Sequence, residues 1–147
     1  MGYGRVCKQY KMSNIETAGK LDLIIICYEK AILCLKQAKN HIKENEIEKK
    51  ALKIQKVLDI INTLQGCLNI EEGGQVAKNL DAIYTYLNKR LLLGDIQKDM
   101  TAFDECANIL TELKSAWKEI SSAQGKDRTA GMDRPDHLMK DNAQIAA

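Results

Sequence analysis

The sequence predicts an all-α protein, an antiparallel up-down four-helix bundle. Three observations carry that prediction. Apolar residues recur at helical spacing over four long segments. One proline and nine glycines in 147 residues leave little material for the many tight turns of an all-β fold. The segments are joined by short polar stretches, and connections that short force consecutive helices to lie antiparallel.

The first helix is expected from about Gly19 to Lys43, with Leu21, Ile24, Tyr28, Ile32, Leu35 and Ile42 facing inward. The stretch "KENE" ends it. A second helix, from about Glu46 to Leu68, places Ile47, Ala51, Ile54, Leu58, Ile61 and Leu68 on its inner face. A third follows the sequence "EEGGQ" and carries Val76, Leu80, Ile83, Leu87 and Leu91; a fourth carries Phe103, Cys106, Leu110, Leu113, Trp117 and Ile120. Glu71 and Glu72 suit the positive end of the third helix dipole. Gly73 and Gly74 would let the chain reverse with unusual dihedrals and let that helix end approach a neighbour closely. From Gln124 the apolar stripe stops, so the expected organisation is one bundle domain over 1–123 and a mobile tail over 124–147. A short helix through Leu138, Met139 and Ile145, folded over a groove of the bundle, is a further option for that tail.

Composition removes several classes of function. The 22 basic and 20 acidic residues are mixed along the chain, and a net charge of +2 leaves no footprint for nucleic acid. The longest apolar run, "LIIIC" at Leu23 to Cys27, is far short of the roughly 20 residues that span a bilayer, so no membrane insertion is expected. No secretory signal is visible before the helical pattern. Cys7, Cys27, Cys34, Cys67 and Cys106 form an odd set with no C-x-x-C pair, which reads as reduced, buried thiols of a cytosolic protein.

No catalytic or cofactor motif is present: there is no H-E-x-x-H, Walker loop, EF-hand loop or G-x-S-x-G. Neither histidine follows a glutamate by three residues, so the di-iron bundle pattern is missing as well. The expectation is a protein that is not an enzyme and needs no cofactor or metal. His41 falls in the last turn of the first helix, where a cationic ring suits the negative dipole end. A histidine phosphotransfer bundle using His41 is the enzyme-adjacent alternative, but it calls for an exposed histidine in mid-helix.

Surface chemistry is the remaining signal. The first helix adds Leu23, Ile26, Cys27, Leu33 and Cys34 to its inner stripe, and the second adds Val57, Ile60, Leu64 and Cys67. That is more apolar circumference than the roughly 100° a bundle helix buries. Two adjacent helices with spare apolar faces form a groove, to be filled by the protein's own termini, by a second copy in a self-associating scaffold, or by an amphipathic helix of a partner.

The order of residues from Tyr10 to Trp117 resembles the FliS family of flagellin-specific export chaperones. The resemblance rests on Tyr10, then "TAGKLDLIIICYEKAI" with Tyr28, Ala31 and Ile32, then Gly73, Gly74, Ala77, Asn79, Leu80, Tyr84 and Tyr86. Arg90, Leu91, Asp99, Leu113 and Trp117 follow at the family's spacing. Three places depart from its pattern: Gly19-Lys20 for Ser-Pro, Glu29-Lys30 for Asp-Gly, and Gly94-Asp95 for Ala-Asn.

The resemblance implies a cytosolic chaperone that holds the disordered C-terminal segment of flagellin, prevents premature polymerisation and delivers it to the export gate. A regulatory co-chaperone is a possible further partner. It also implies structural roles for Tyr28, Gly73, Gly74, Asn79, Leu80, Tyr84 and Trp117. The groove residues expected from the apolar pattern are Leu23, Ile26, Leu33, Val57, Ile60 and Leu64, with Tyr10 folding over part of that groove. Tyr84, Tyr86 and Trp117 are read as core or rim packing.

Overall fold

The computed structural model describes residues 17–130, with side chains placed over 19–123. Four α-helices follow one another: α1 (Thr17–Lys43), α2 (Ile47–Gly66), α3 (Ile70–Gln97) and α4 (Met100–Ala130). Cross-helix contacts fix their directions. On α1 and α4, Asp22 meets Ser121 and Lys39 meets Asp104. On α2 and α3, Gln65 meets Asp81 and Lys50 meets Asp95. Both pairs are therefore antiparallel, and the bundle closes as a ring in which α1 lies between α2 and α4.

Each junction is closed by a residue suited to it. Asn45 takes a left-handed backbone (φ 59°) after α1, as Lys98 (φ 56°) does after α3. Asn69 caps α3 by accepting from the Glu72 amide at 3.2 Å. Asp99 caps α4 in the same way, accepting from the Thr101 amide at 3.0 Å. The Gly19-Lys20 departure does not delay α1, whose backbone is helical from Thr17. At the other end α4 stays helical through Gln124 to Ala130, past the last apolar stripe. Its residues there include Ala, Gln, Lys and Arg, which extend an existing helix at little cost.

The core comprises the inward faces of all four helices, with Tyr28, Leu35, Ile60, Leu87, Phe103 and Leu110 essentially inaccessible. On α2 the buried face is wider than the expected one and leaves its first turn outside. Ile54, Val57, Ile60, Ile61 and Leu64 face inward, whereas Ile47 is 65% exposed and Ala51 is also exposed. Ile54 and Ile61 belong both to the expected stripe and to the observed one. Leu58 and Leu68 of the expected stripe also pack against the core, so the inward face is the expected one past its first turn, widened by Val57, Ile60 and Leu64.

Cys27, Cys34 and Cys106 are buried free thiols, as expected. Burial pushes the Cys106 thiol up to about 12 and raises Cys27 above its usual value. Cys67 departs from that reading: it is half-buried and disulfide-bonded. Cys7, Tyr10 and the tail beyond Ala130 lie outside the described residues.

Candidate functional site

The glycine pair near the start of α3 divides its work. Gly73 is buried and its amide donates to the Asn69 carbonyl at 2.7 Å, closing a single helical turn. Gly74 then breaks the helix with φ 57° and ψ −135°, a conformation that a side chain rarely tolerates. The long part of α3 starts after it. The pair is therefore a capped turn and a kink, and it aims the helix that carries Leu80, Tyr84 and Leu87 into the core.

Tyr28 on α1, Tyr84 on α3 and Trp117 on α4 meet at the centre of the bundle. The two phenol oxygens are 2.6 Å apart, and the Trp117 indole donates to the Tyr28 hydroxyl at 2.9 Å. A buried phenol or indole needs such a partner, since leaving its polar atom unpaired costs about 1–3 kcal/mol. Burial pushes the Tyr28 phenol up to about 12, against the lowering influence of its hydrogen bonds with Tyr84 and Trp117. Burial also holds Tyr84 well above the usual tyrosine value, reinforced by its proximity to Tyr28. The three are a dry structural tie and offer no accessible reacting group. Leu80 is buried as well, while Asn79 is exposed and accepts a hydrogen bond from Gln75 at 2.9 Å.

The α3–α4 junction is held differently. Arg90 reaches Glu105 at 2.8 Å and Asp99 at 3.5 Å, and Tyr86, exposed at the rim, donates to Glu105. Hydrogen bonds from Tyr86 and Arg90 hold the Glu105 carboxyl below its usual range; those from Thr101, with Arg90 nearby, do the same for Asp99. Gly94 lies so close to α4 that a β-carbon there would sit 2.4 Å from the Ala102 β-carbon.

The expected groove residues separate into two groups. Leu23 is half-buried, and Ile26 and Leu33 stand 55% and 54% exposed along the outer face of α1. Val57, Ile60 and Leu64 are sealed in the core, at 0%, 0% and 5% exposure, so they do not line a surface. They belong to the inward face of α2, beside Ile54 and Ile61. The surface of α2 carries Leu52 instead, 71% exposed, among lysines. Beside it, between α1 and α2, lies a cavity of about 520 Å³ lined by Lys30, Cys34, His41, Lys49, Leu52, Lys53 and Lys56.

His41 is half-buried at the C-terminal end of α1, and its Nδ1 lies 3.0 Å from Glu46 across the α1–α2 turn. It closes that turn, which is the helix-end role expected of it and not the open mid-helix position of a phosphoacceptor. Among the described residues no group of three or more His, Cys, Asp or Glu is placed to hold a metal ion, and no helix is long and apolar enough to cross a membrane.

The model of the family described as "Flagellar protein FliS" matches residues 4–124. The chain belongs to the FliS family. Among curated FliS proteins, it is 32% identical over 108 residues to the flagellar secretion chaperone FliS of Vibrio cholerae, covering 74% of this chain and 79% of that one. It is 33% identical over 121 residues to the flagellar secretion chaperone FliSB of Pseudomonas aeruginosa, covering 80% and 96%. The Salmonella typhimurium FliS is 31% identical over 110 residues, covering 74% and 82%. The function that goes with FliS membership is chaperoning in flagellar secretion rather than catalysis. In this FliS chain the Tyr28–Tyr84–Trp117 tie joins three helices, and the helical dihedrals of α3 break at Gly74. The resemblance singled out Arg90 and Asp99 without giving them a role; the structure joins them in a clamp and adds Glu105, which the sequence reading missed.

Proposed function

We propose that this chain binds the C-terminal segment of flagellin in the cytosol, keeps it from polymerising and hands it to the flagellar export gate. Family membership supports the chaperone role. The observation that carries the choice of surface is the exposed apolar line Ile26–Leu33 on α1, flanked by Leu23, on a helix whose other faces are packed. A disordered client that folds on binding gives up about 2–5 kcal/mol to ordering, so it needs continuous apolar area to gain that back. The proposed contact set is Leu23, Ile26 and Leu33, with Tyr10 of the preceding segment covering part of the same surface. Residues 1–123 form the chaperone domain in this reading, and a regulatory co-chaperone is a second candidate partner.

Isothermal titration with a peptide covering about the last 40 residues of the flagellin from the same organism, two helices' worth, tests this. One-to-one binding with a negative heat-capacity change is the expected result. The double variant Ile26→Ala/Leu33→Ala alters only exposed side chains, so its fold should persist while affinity falls by about tenfold. Unchanged affinity would remove α1 from the contact surface; no binding by the unaltered chain would remove the client reading itself.

A further inference from the structure

α3 is amphipathic twice over. Its inner stripe, Ala77, Leu80, Tyr84, Leu87, Leu91 and Gly94, is buried in the bundle. A second stripe runs along the opposite face: Ala82, Tyr86, Lys89, Leu93 and Ile96 recur at intervals of four, three, four and three residues. That is the seam pattern of a helix that packs lengthwise on another helix. All five are exposed, Tyr86, Leu93 and Ile96 by 45%, 53% and 77%, and Leu92, 49% exposed, stands beside them. Four of the nine large apolar side chains that are exposed among the described residues thus gather on one helix face, a concentration that marks an interaction surface. At about 1.5 Å per residue the stripe is about 21 Å long, or two heptads.

This face is remote from the apolar line of α1. α1 and α3 each lie between α2 and α4, so they occupy diagonal corners of the ring and their outer faces point in opposite directions. A single straight helix cannot lie on both. Charge on the outer face of α3 is one-sided. Lys89 sits at the midpoint of the stripe and Lys78 one turn before its start, both exposed and neither in an ion pair among the described residues. The carboxylates of the same stretch turn toward α2, where Gln65 donates to Asp81 at 2.8 Å and Lys50 pairs with Asp95. Glu105 on α4, which accepts from Tyr86, is already neutralised by Arg90 at 2.8 Å.

Those charges decide between a second copy of this chain and a different partner. A two-fold antiparallel seam brings its midpoint against itself, and a two-fold parallel seam brings every residue against itself. Lys89 is the midpoint of 82–96, so either pairing that covers the whole stripe sets lysine against lysine in an apolar seam. Like charges so placed repel strongly. A foreign helix with apolar residues on the same spacing and a carboxylate at its own midpoint satisfies the apolar residues and Lys89 together.

We infer that the outer face of α3 is a docking site for an amphipathic helix of a second partner protein, laid lengthwise from Ala82 to Ile96 with a carboxylate at its centre. Its apolar seam packs on Tyr86, Leu93 and Ile96, and the carboxylate pairs with Lys89. A single charge inside an apolar seam fixes register and partner choice, as lone polar residues do in coiled coils.

The full chain is titrated with fluorescent helical peptides of about 15 residues, matched to the stripe in length. Both have leucine at the seam positions; one carries glutamate at the midpoint and the other lysine. Anisotropy should show the glutamate peptide binding about tenfold more tightly than the lysine peptide. In Lys89→Glu that order should reverse. Leu93→Ser/Ile96→Ser alters only exposed side chains, so the circular dichroism should be unchanged while both peptides lose at least about tenfold in affinity. The flagellin peptide should bind this variant as it binds the parent chain.

Equal binding of the two peptides, or an order that Lys89→Glu fails to reverse, would overturn the inference. So would affinities untouched by Leu93→Ser/Ile96→Ser, which would place the peptides elsewhere on the bundle. A parent chain that sediments as a dimer, and a variant that sediments as a monomer, would assign the face to a second copy instead. Loss of the flagellin peptide by the same variant would make the face part of the flagellin surface and remove the second partner. Failure of the flagellin peptide to bind the parent chain as well would sink the flagellin reading alone, because the charge reversal is read without it.

Discussion

The two glycine-bearing junctions of α3 solve opposite problems. At its start Gly74 has nothing within 4 Å of where a β-carbon would stand, yet its φ of 57° excludes most side chains. Near its end Gly94 has ordinary helical backbone, yet Ala102 of α4 occupies the space a β-carbon would need. The first glycine is required by torsion and the second by proximity. Glycine at the same helix thus sets an angle at one end and a distance at the other, and only the second is reinforced by ion pairs.

The contrast can be broken most sharply at Gly94. Alanine in a helix interior normally gains about 1 kcal/mol over glycine. Gly94→Ala should instead lose about 2 kcal/mol in denaturant unfolding, because the Ala102 contact involves a β-carbon that cannot rotate away. Gly74→Ala should lose about 1–2 kcal/mol through backbone strain alone. Pairing Gly94→Ala with Ala102→Gly should restore most of the first loss, whereas no substitution of a neighbour should rescue the second; equal rescue of both would erase the distinction.

Acid sharpens the same comparison. Asp99 and Glu105 are held below their ordinary range in the folded chain by the hydrogen bonds of the α3–α4 junction. Their folded-state values lie below their unfolded ones. The stability they contribute is present above the usual carboxylate range and is lost as pH falls through their folded-state values. Denaturation midpoints followed from pH 7 downward should therefore drop more in the parent than in Arg90→Ala, which has already lost the clamp. Parallel curves would mean that the clamp contributes nothing. The smallest effect is expected at Gly66, the last residue of α2, which is exposed, has no positive φ and has nothing within 4 Å of a β-carbon. Gly66→Ala should gain up to about 0.5 kcal/mol, separating glycines that geometry requires from one it does not.

Much of this architecture was legible as pattern. The four helices, their order and the unusual turn at Gly73-Gly74 follow from periodicity and glycine placement. The exposed line on α1 was legible too, because Ile26 and Leu33 are seven apart on a face opposite Tyr28's inner stripe. The full width of the inward face of α2 was not. Its apolar residues form two adjacent lines, and the packed bundle buries both, Val57, Ile60 and Leu64 along with Ile54 and Ile61, where the pattern suggested that the second line was spare. Long-range polar ties were equally hidden: Tyr28 and Tyr84 are 56 residues apart, and Tyr28 and Trp117 are 89 apart.

The central tie has a practical consequence. Trp117 is the only tryptophan in the chain, and it sits where three helices converge, with its indole donating to a phenol. The molecule therefore contains a single indole, excitable at wavelengths where its five tyrosines do not absorb, at a point sensitive to any parting of α1 from α4. A ligand that merely covers the outside should leave its emission wavelength unchanged, while one that pries the helices apart should admit water and move the emission to the red. Unlabelled titrations can thus sort partners by whether they coat this bundle or open it.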